Sequence, residues 1–194
     1  MKLILFLLSL ASIAPAQAPG TFIPTGSMTT PRISHTATLL LNGKVLITGG
    51  RSDGSGSAEL FDPVTGTFSA TGEMITPRRL HTATLLTDGR VLIAGGFLNN
   101  GNSPLASAEL YDPSTGTFTA TGSMLNLRGW NTATLLYDGR VLVAEAAGAD
   151  YTAELYDPAT GTFTVTGAYA GAYAAPSWVG TATLLPDGKS FCGM

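Results

Sequence analysis

The strongest constraint on the fold is a phrase that recurs four times along the chain. Thr-Ala-Thr-Leu-Leu follows His35, His81, Asn131 and Gly180, at successive intervals of 46, 50 and 49 residues. A repeat of this length exceeds the shorter helical repeats and suits one four-stranded blade of a β-propeller. We therefore expect an all-β chain with three full blades and a partial fourth, at about residues 35–71, 81–121, 131–166 and 180–194.

Turn residues divide each repeat into four strands. In the first copy we predict strands at residues 36–41, 45–50, 58–61 and 67–71. Asn42-Gly43, replaced by Asp-Gly in later copies, is typical of a two-residue hairpin with a type I′ turn. Residues 62–66, Asp-Pro-Val-Thr-Gly, predict a second turn, because Pro fixes φ and Gly accepts left-handed backbone.

Continuous apolar runs distinguish stacked blades from an open sheet. Residues 39–40 and 45–47 are apolar without alternation, which a sheet covered on one side does not need. A blade between two neighbours is buried on both faces. A β-sandwich is the alternative, but it does not require the period and all four turns to recur together.

The repeat resembles the kelch repeat of secreted bacterial proteins and of the central domain of galactose oxidase. Glycine pairs, a Glu-Leu-Tyr-Asp-Pro phrase, an aromatic residue and an arginine before the next copy carry the resemblance over nearly everything after residue 18. They lie at Gly49-Gly50 and Gly95-Gly96, at 109–113 and 154–158, at Phe68, Phe118 and Phe163, and at Arg32, Arg78 and Arg128. The pattern is broken at Glu145-Ala146, and at 190–194, where we expect the second strand of the partial blade to fail.

The resemblance also bears on ring closure. Kelch rings usually have six or seven blades, so it implies that this chain forms an incomplete kelch-type β-propeller. Residues 20–26 match the fourth strand at 66–72 without three strands before them, and resemble the terminal strand that closes such a ring. An open arc exposes apolar blade faces at its ends, so we expect self-association. A small four-bladed ring, or two arcs forming one ring, are the alternatives.

The first eighteen residues form a separate segment. Lys2 precedes an apolar run at residues 3–13, and small residues follow, as in a secretory signal peptide. Cleavage near Ala16 or Ala18 fits this pattern. The run is short for a membrane span, so we expect a secreted or periplasmic protein with no membrane attachment after cleavage. Cys192 is the only cysteine, so no intrachain disulfide forms.

Length variation points to the binding face. Insertions fall only between the second and third strands and between one blade and the next, two loop classes that alternating strand direction places on one face. Large side chains there that do not recur are the candidate binding residues, with packing of their own loop as the alternative: Trp130, Trp178, Tyr151, Tyr169, Tyr173, Phe97 and Arg79.

Residues that recur in every blade are predicted to belong to the frame. We expect structural hydrogen bonds or ion pairs from Arg32, Arg78, Arg128, Glu59, Glu109 and Glu154.

Catalytic and cofactor signals are sparse. His35 and His81 hold equivalent positions, but two histidines without a third ligand make no metal site. Residues 53–56 and 99–102 are oxygen-rich without matching a calcium loop. Cys192 cannot be matched to the Tyr, His and cross-linked Cys of the copper oxidases in this superfamily. We predict no catalytic residue, metal or cofactor, and no nucleic-acid partner, because the net charge is −3 and the ten Lys and Arg residues are scattered.

The sequence therefore favours an exported, noncatalytic kelch module that binds a protein or a glycan through the variable-loop face. The alternative is a fragment of a carbohydrate-active enzyme similar to exported kelch-type sugar mutarotases or oxidases. In that case the active site lies at the channel mouth or in blades that this chain lacks.

Overall fold

The computed structural model describes residues 24–51, 53–98, 102–144, 152–168, 181–184 and 190–193. Blade 1 contains β1 (Thr36–Leu39), β2 (Val45–Thr48), β3 (Ala58–Asp62) and β4 (Thr67–Ala70). A small separate sheet pairs β5 (Arg78–Arg79) with β8 (Phe97–Leu98). Blade 2 contains β6 (Thr82–Leu85), β7 (Val91–Ala94), β9 (Ala108–Asp112) and β10 (Thr117–Ala120). Blade 3 contains β11 (Thr132–Leu135), β12 (Val141–Ala144), β13 (Thr152–Asp157) and β14 (Thr162–Ala168), and β15 (Thr181–Leu184) pairs with β16 (Ser190–Gly193).

Each blade is an antiparallel meander, and the blades stand side by side. The first strands of successive blades are neighbours, with β1 beside β6, β6 beside β11 and β11 beside β15. Within the described part of the chain the sheets do not close into a ring. The predicted all-β, incomplete propeller is confirmed.

Two apolar cores lie between blades, as stacking requires. The first joins Leu40, Leu46, Ala58 and Met74 of blade 1 to Val91, Ile93, Tyr111 and Phe118 of blade 2. The second joins Leu86, Leu92, Ala94, Ala108, Leu110 and Met124 of blade 2 to Val141, Val143, Tyr156 and Phe163 of blade 3. Alternate residues of one strand thus serve two different cores, which explains the continuous apolar runs.

The hairpin between the first two strands differs from the predicted type I′ turn. Gly43 donates its N–H to the Leu40 carbonyl at 3.0 Å and has a φ of 81°, whereas Asn42 is not left-handed. This is a type I turn followed by a left-handed glycine. The Asn42 side chain stabilises it by accepting the Lys44 N–H at 3.1 Å.

The prediction that the second strand of the partial blade fails was wrong. Ser190–Gly193 forms β16 and pairs in register with β15, with Cys192 opposite Ala182 and Gly193 opposite Thr181. The ladder uses backbone N–H and C=O groups, so the loss of the Val-Leu-Ile pattern does not prevent pairing.

The proposed signal peptide lies outside the described residues. The described residues contain no helix that is long and apolar enough to cross a membrane.

Candidate interaction face

The two variable loop classes meet on one face, which we name the loop face. It consists of the inter-blade segments 27–34, 73–80 and 123–130 and the described parts of the connections between second and third strands. Backbone bonds join the two classes: Ile33 N–H to the Gly50 carbonyl at 2.9 Å, and Met74 N–H to the Gly56 carbonyl at 2.8 Å. The sequence-based placement of both loop classes on one face agrees with this geometry.

A buried arginine–glutamate pair lies under each inter-blade segment. Arg78 Nη2 contacts Glu109 Oε1 at 2.8 Å, and both side chains are at most 2% exposed. Arg78 Nη1 also donates to the carbonyls of Gly95 and Ser107. The same pairing joins Arg32 to Glu59 at 2.9 Å and Arg128 to Glu154 at 3.1 Å.

The second carboxylate oxygen of each glutamate holds the loop backbone. Glu59, Glu109 and Glu154 accept the N–H groups of Thr29, Ile75 and Leu125 at 2.7, 2.7 and 2.8 Å. Burial alone would raise the pKa of Glu59, but the bonds from Thr29, Arg32 and Thr30 outweigh it and lower that pKa. The pairs therefore fix the height and direction of each loop above its blade.

Glycine is required where an inter-blade segment crosses the end of a second strand. Gly50 has a φ of 74°, and a Cβ there would collide with the Ile33 carbonyl oxygen. Gly96 has a φ of 85°, and a Cβ there would collide with the Arg79 carbonyl oxygen. The glycine pairs thus let the inter-blade segment pass directly over the end of the second strand.

Phe97 and Trp130 meet, but Phe97 is not available to a ligand. Their rings are 4.5 Å apart in an edge-to-face arrangement, and Phe97 is only 4% exposed. Phe97 covers Gly129, where a Cβ would strike its ring. The insertion of blade 2 explains this contact, because β8 folds back on β5 and carries Phe97 under the next inter-blade segment.

The other candidates divide between the loop face and the undescribed residues. Arg79 and Trp130 are half-buried on the loop face, and Arg79 Nη2 bonds Asn102 Oδ1 at 2.8 Å. Four candidates lie outside the described residues: Tyr151, Tyr169, Tyr173 and Trp178.

Sequence analysis missed a set of exposed aliphatic side chains on the same face. Ile33, Ile75, Leu125 and Leu127 are 60–68% exposed. Ile75 and Leu125 occupy one repeat position, and its counterpart in the preceding segment is Thr29. The sequence did contain a signal for this set: the repeat position is apolar in two copies and polar in the third, whereas a position that packs in the frame would be expected to stay apolar in all three.

The comparisons with known proteins agree with this architecture. A model of the Kelch motif matches residues 78–125, which include all of blade 2 and part of each inter-blade segment beside it. Residues 78–125 form a kelch motif, and the other copies repeat its pattern. A search of curated proteins found no match.

Two solved structures share this fold. The structure of YjhT matches with a TM-score of 0.62 at 16% identity, over 76% of this chain and 54% of that one. A fungal alcohol oxidase of the AA5 family, in complex with copper, matches with a TM-score of 0.56 at 17% identity, over 86% of this chain and 49% of that one. This chain therefore spans about half the length of either, and at these identities the likeness shows the fold alone.

The two histidines occupy one position of the kelch repeat but have different surroundings. His35 is exposed, whereas His81 is 5% exposed and its Nε2 bonds the hydroxyls of Thr36 and Thr48 of blade 1, each at 3.0 Å. Burial, with the nearby charges of Arg78 and His35, lowers the pKa of His81 to about 3. His81 is thus a neutral contact between kelch blades.

The oxygen-rich loops show internal bonds. Asp53 Oδ1 accepts the Arg51 side chain at 2.9 Å and the Ser55 N–H at 3.0 Å. Asn102 bonds Arg79, and residues 99–101 lie outside the described residues. The described part of the chain contains no group of three His, Cys, Asp or Glu side chains placed to hold a metal ion.

The opposite face carries the tight turns and a shallow groove of about 530 Å³. Leu41 and Asn42 of blade 1 line it together with turn residues of blade 2, among them Arg90 and Asp112. Arg90 is paired with Asp88 at 2.7 Å, so the charges in the groove are largely satisfied within it.

Proposed function

We propose that the chain is an exported, noncatalytic kelch module that binds a protein or a glycan through the loop face. The observation that supports this most directly is the set of exposed aliphatic side chains on loops with a fixed backbone. Ile75 and Leu125 each extend from a residue whose N–H is bound by a buried glutamate. A rigid frame that presents variable side chains is the usual arrangement for recognition.

The chemistry of these side chains favours a protein over a glycan. Ile75, Leu125 and Leu127 gain free energy when a partner removes them from water, at about 25 cal/mol per Å² of apolar surface. Sugars are bound by stacking on exposed aromatic rings. Among the described aromatic candidates, Phe97 is buried and Trp130 is half-buried against it.

The experiment is a paired protein and glycan binding array, followed by variants on both faces of the disc. Leu125→Asp places a charge within the aliphatic set and is expected to weaken protein binding about tenfold or more, because Leu125 is its most exposed member. Val64→Asp is the matched control, because Val64 is 91% exposed in a turn on the opposite face. Equal binding by wild type and Leu125→Asp, with both folded, contradicts the proposal.

Two tryptophan variants test the glycan arm. Trp130→Ala and Trp178→Ala are expected to reduce binding if the ligand is a sugar that stacks on these rings. Unchanged glycan binding in both variants removes these aromatics from the site.

Export is tested by N-terminal sequencing of the secreted chain, with cleavage near Ala16 or Ala18 as the expected result.

A kelch-type enzyme fragment is the second candidate, because the same fold also occurs in an alcohol oxidase that binds copper. The discriminating observation is the reading frame beyond residue 194. Further kelch repeats that bring Tyr, His or Glu side chains to the channel mouth would support the enzyme and contradict a noncatalytic module.

A further inference from the structure

Each blade has two apolar faces, and the leading face is the one that packs on the preceding blade. In blade 2 this face consists of Ala83, Leu85, Val91, Ile93, Tyr111 and Phe118. Blade 3 presents Ala133, Leu135, Val141, Val143, Tyr156 and Phe163 in the same way. The corresponding side chains of blade 1 are Ala37, Leu39, Val45, Ile47, Phe61 and Phe68.

The leading face of blade 1 is only partly covered by the described residues, because Ile47 is buried but its neighbours on this face are more exposed than their counterparts in blade 2. Leu39 is 64% exposed and Phe61 is half-buried, whereas the counterparts of Phe61, Tyr111 and Tyr156, are both 0% exposed. Val45 is half-buried, whereas its counterpart Val91 is fully buried. The composition of this face is that of a blade interface, not of a surface exposed to water.

The chain itself shows what covers such a face. In both cores the side chains that cover a leading face come from the preceding blade, on the side opposite to that blade's own leading face. They are mainly leucine and methionine, as with Leu40, Leu46 and Met74. A kelch blade is therefore the partner with the right shape and apolar chemistry.

The backbone beside this face is already arranged for a preceding blade. Gly26 donates its N–H to the Gly66 carbonyl at 2.8 Å. The equivalent bonds, Gly72 to Gly116 and Gly122 to Gly161, are made by the end of the fourth strand of the preceding blade. Thr25 and Gly26 thus occupy the outer-strand position of a blade whose inner strands would lie on the leading face of blade 1.

The described residues contain a pair of inner strands that could fill this place in another molecule. β15 lies beside β11 as β11 lies beside β6, so β15 and β16 occupy the two inner positions of a blade after blade 3. Blade 1 and β15 are at opposite ends of the arc within the described residues, so one molecule does not bring them together.

We propose that two copies of this chain associate head to tail, with β15–β16 of one copy on the leading face of blade 1 of the other. The junction is a composite blade: one copy supplies the inner strands and the other supplies its outer-strand segment at residues 25–26. This association is independent of any ligand on the loop face. It buries Leu39, Val45 and Phe61, which leaves them as well covered as their counterparts in blades 2 and 3.

The test is the mass of the full chain in solution, measured by sedimentation and light scattering over a hundredfold concentration range. The wild-type mass is expected to rise with concentration to at least twice the monomer. Leu39→Asp is expected to remain monomeric, because it places a charge in the junction without altering a buried position. Val64→Asp, the same kind of change at an exposed turn of the same blade, is expected to associate like wild type.

A second variant tests the direction of association. Phe191 of β16 is the counterpart of Leu46 and Leu92 in the repeat, and Phe191→Asp alters only the tail partner. Each single variant is expected to be monomeric, but an equimolar mixture is expected to form a dimer, because Leu39→Asp keeps an intact tail and Phe191→Asp keeps an intact head. Circular dichroism checks that both variants fold.

Three outcomes overturn the proposal. A wild-type chain that stays monomeric at all concentrations excludes the association. Association of Phe191→Asp alone indicates that two blade 1 faces pack together without β16. A mixture that stays monomeric while wild type associates shows that the junction does not join these two ends.

Discussion

The phenol oxygen of Tyr111 lies 2.8 Å from the hydroxyl oxygen of Thr71, which belongs to the preceding blade. Tyr156 and Thr121 repeat the contact at 2.9 Å between blades 2 and 3. Each phenol is otherwise enclosed by apolar side chains, and its ring packs on a phenylalanine of its own blade. The hydroxyl pair thus satisfies the polar atom of a side chain that must be buried for the blades to stack.

Tyr111→Phe is expected to lower the free energy of unfolding by about 1 kcal/mol, because one buried hydrogen bond is lost while the ring is retained. Urea unfolding with a common m-value measures the change. Tyr137→Phe is the matched control, because Tyr137 is 72% exposed and removal of its hydroxyl should leave the midpoint unchanged. Equal effects of the two variants would contradict the role of the interblade bond.

Arg78→Met is expected to destabilise the fold by about 3–5 kcal/mol, because it leaves the Glu109 carboxylate buried without its cation. Denaturant unfolding measures this loss. Arg140→Met is the comparison, because the Arg140–Asp138 pair at 2.6 Å is exposed, and no measurable change is expected. A small effect of Arg78→Met would mean that water or rearrangement of the loop replaces the pair.

Two glycine variants separate a steric effect from a backbone effect. Gly43→Ala is expected to cost about 1 kcal/mol, because φ is 81° but nothing lies within 4 Å of the added Cβ. Gly50→Ala is expected to cost about 3 kcal/mol or more, because its Cβ meets the Ile33 carbonyl in addition to the positive φ. Thermal unfolding of both variants ranks them, and a larger loss for Gly43→Ala would contradict the close approach of the loop.

The repeat made the blades predictable, because backbone pairing and apolar periodicity are local properties that recur with the sequence. The Arg and Glu of the frame could be found for the same reason. The fold of the blade 2 insertion could not, because Phe97 reaches Trp130 only when two loops that are distant in sequence approach each other. The exposure of Ile75 and Leu125 was also hidden, since an apolar residue in a loop is ordinarily expected to pack.

Position in the arc explains the remaining differences between equivalent residues. His35 and His81 occupy the same place in the repeat, yet only His81 has Thr36 and Thr48 of a preceding blade beside it. Leu39 and Leu85 differ in exposure for the same reason. Repeat sequence determines what a face can pack on, whereas burial depends on whether a neighbour is present.

His81 gives the last prediction, a dependence of stability on pH. The folded pKa of about 3 lies below the ordinary value of 6.5 because the ring is buried near Arg78 and His35. As pH falls below 6.5, the unfolded chain takes up a proton that the folded chain excludes, so stability is lost as pH falls toward 3. Between pH 7.5 and pH 4.5 this single site is expected to lower the free energy of unfolding by about 2.5 kcal/mol.

His81→Asn removes the titrating ring and keeps a residue that the repeat accepts at Asn131, so the unfolding midpoint of this variant in urea should vary less over that range. Carboxylates such as Glu59, whose pKa is lowered in the fold, also titrate toward the acid end of this range, but they do so in both proteins, so the difference between the two profiles isolates His81. Parallel pH profiles of wild type and His81→Asn would show that His81 is not held neutral between the blades.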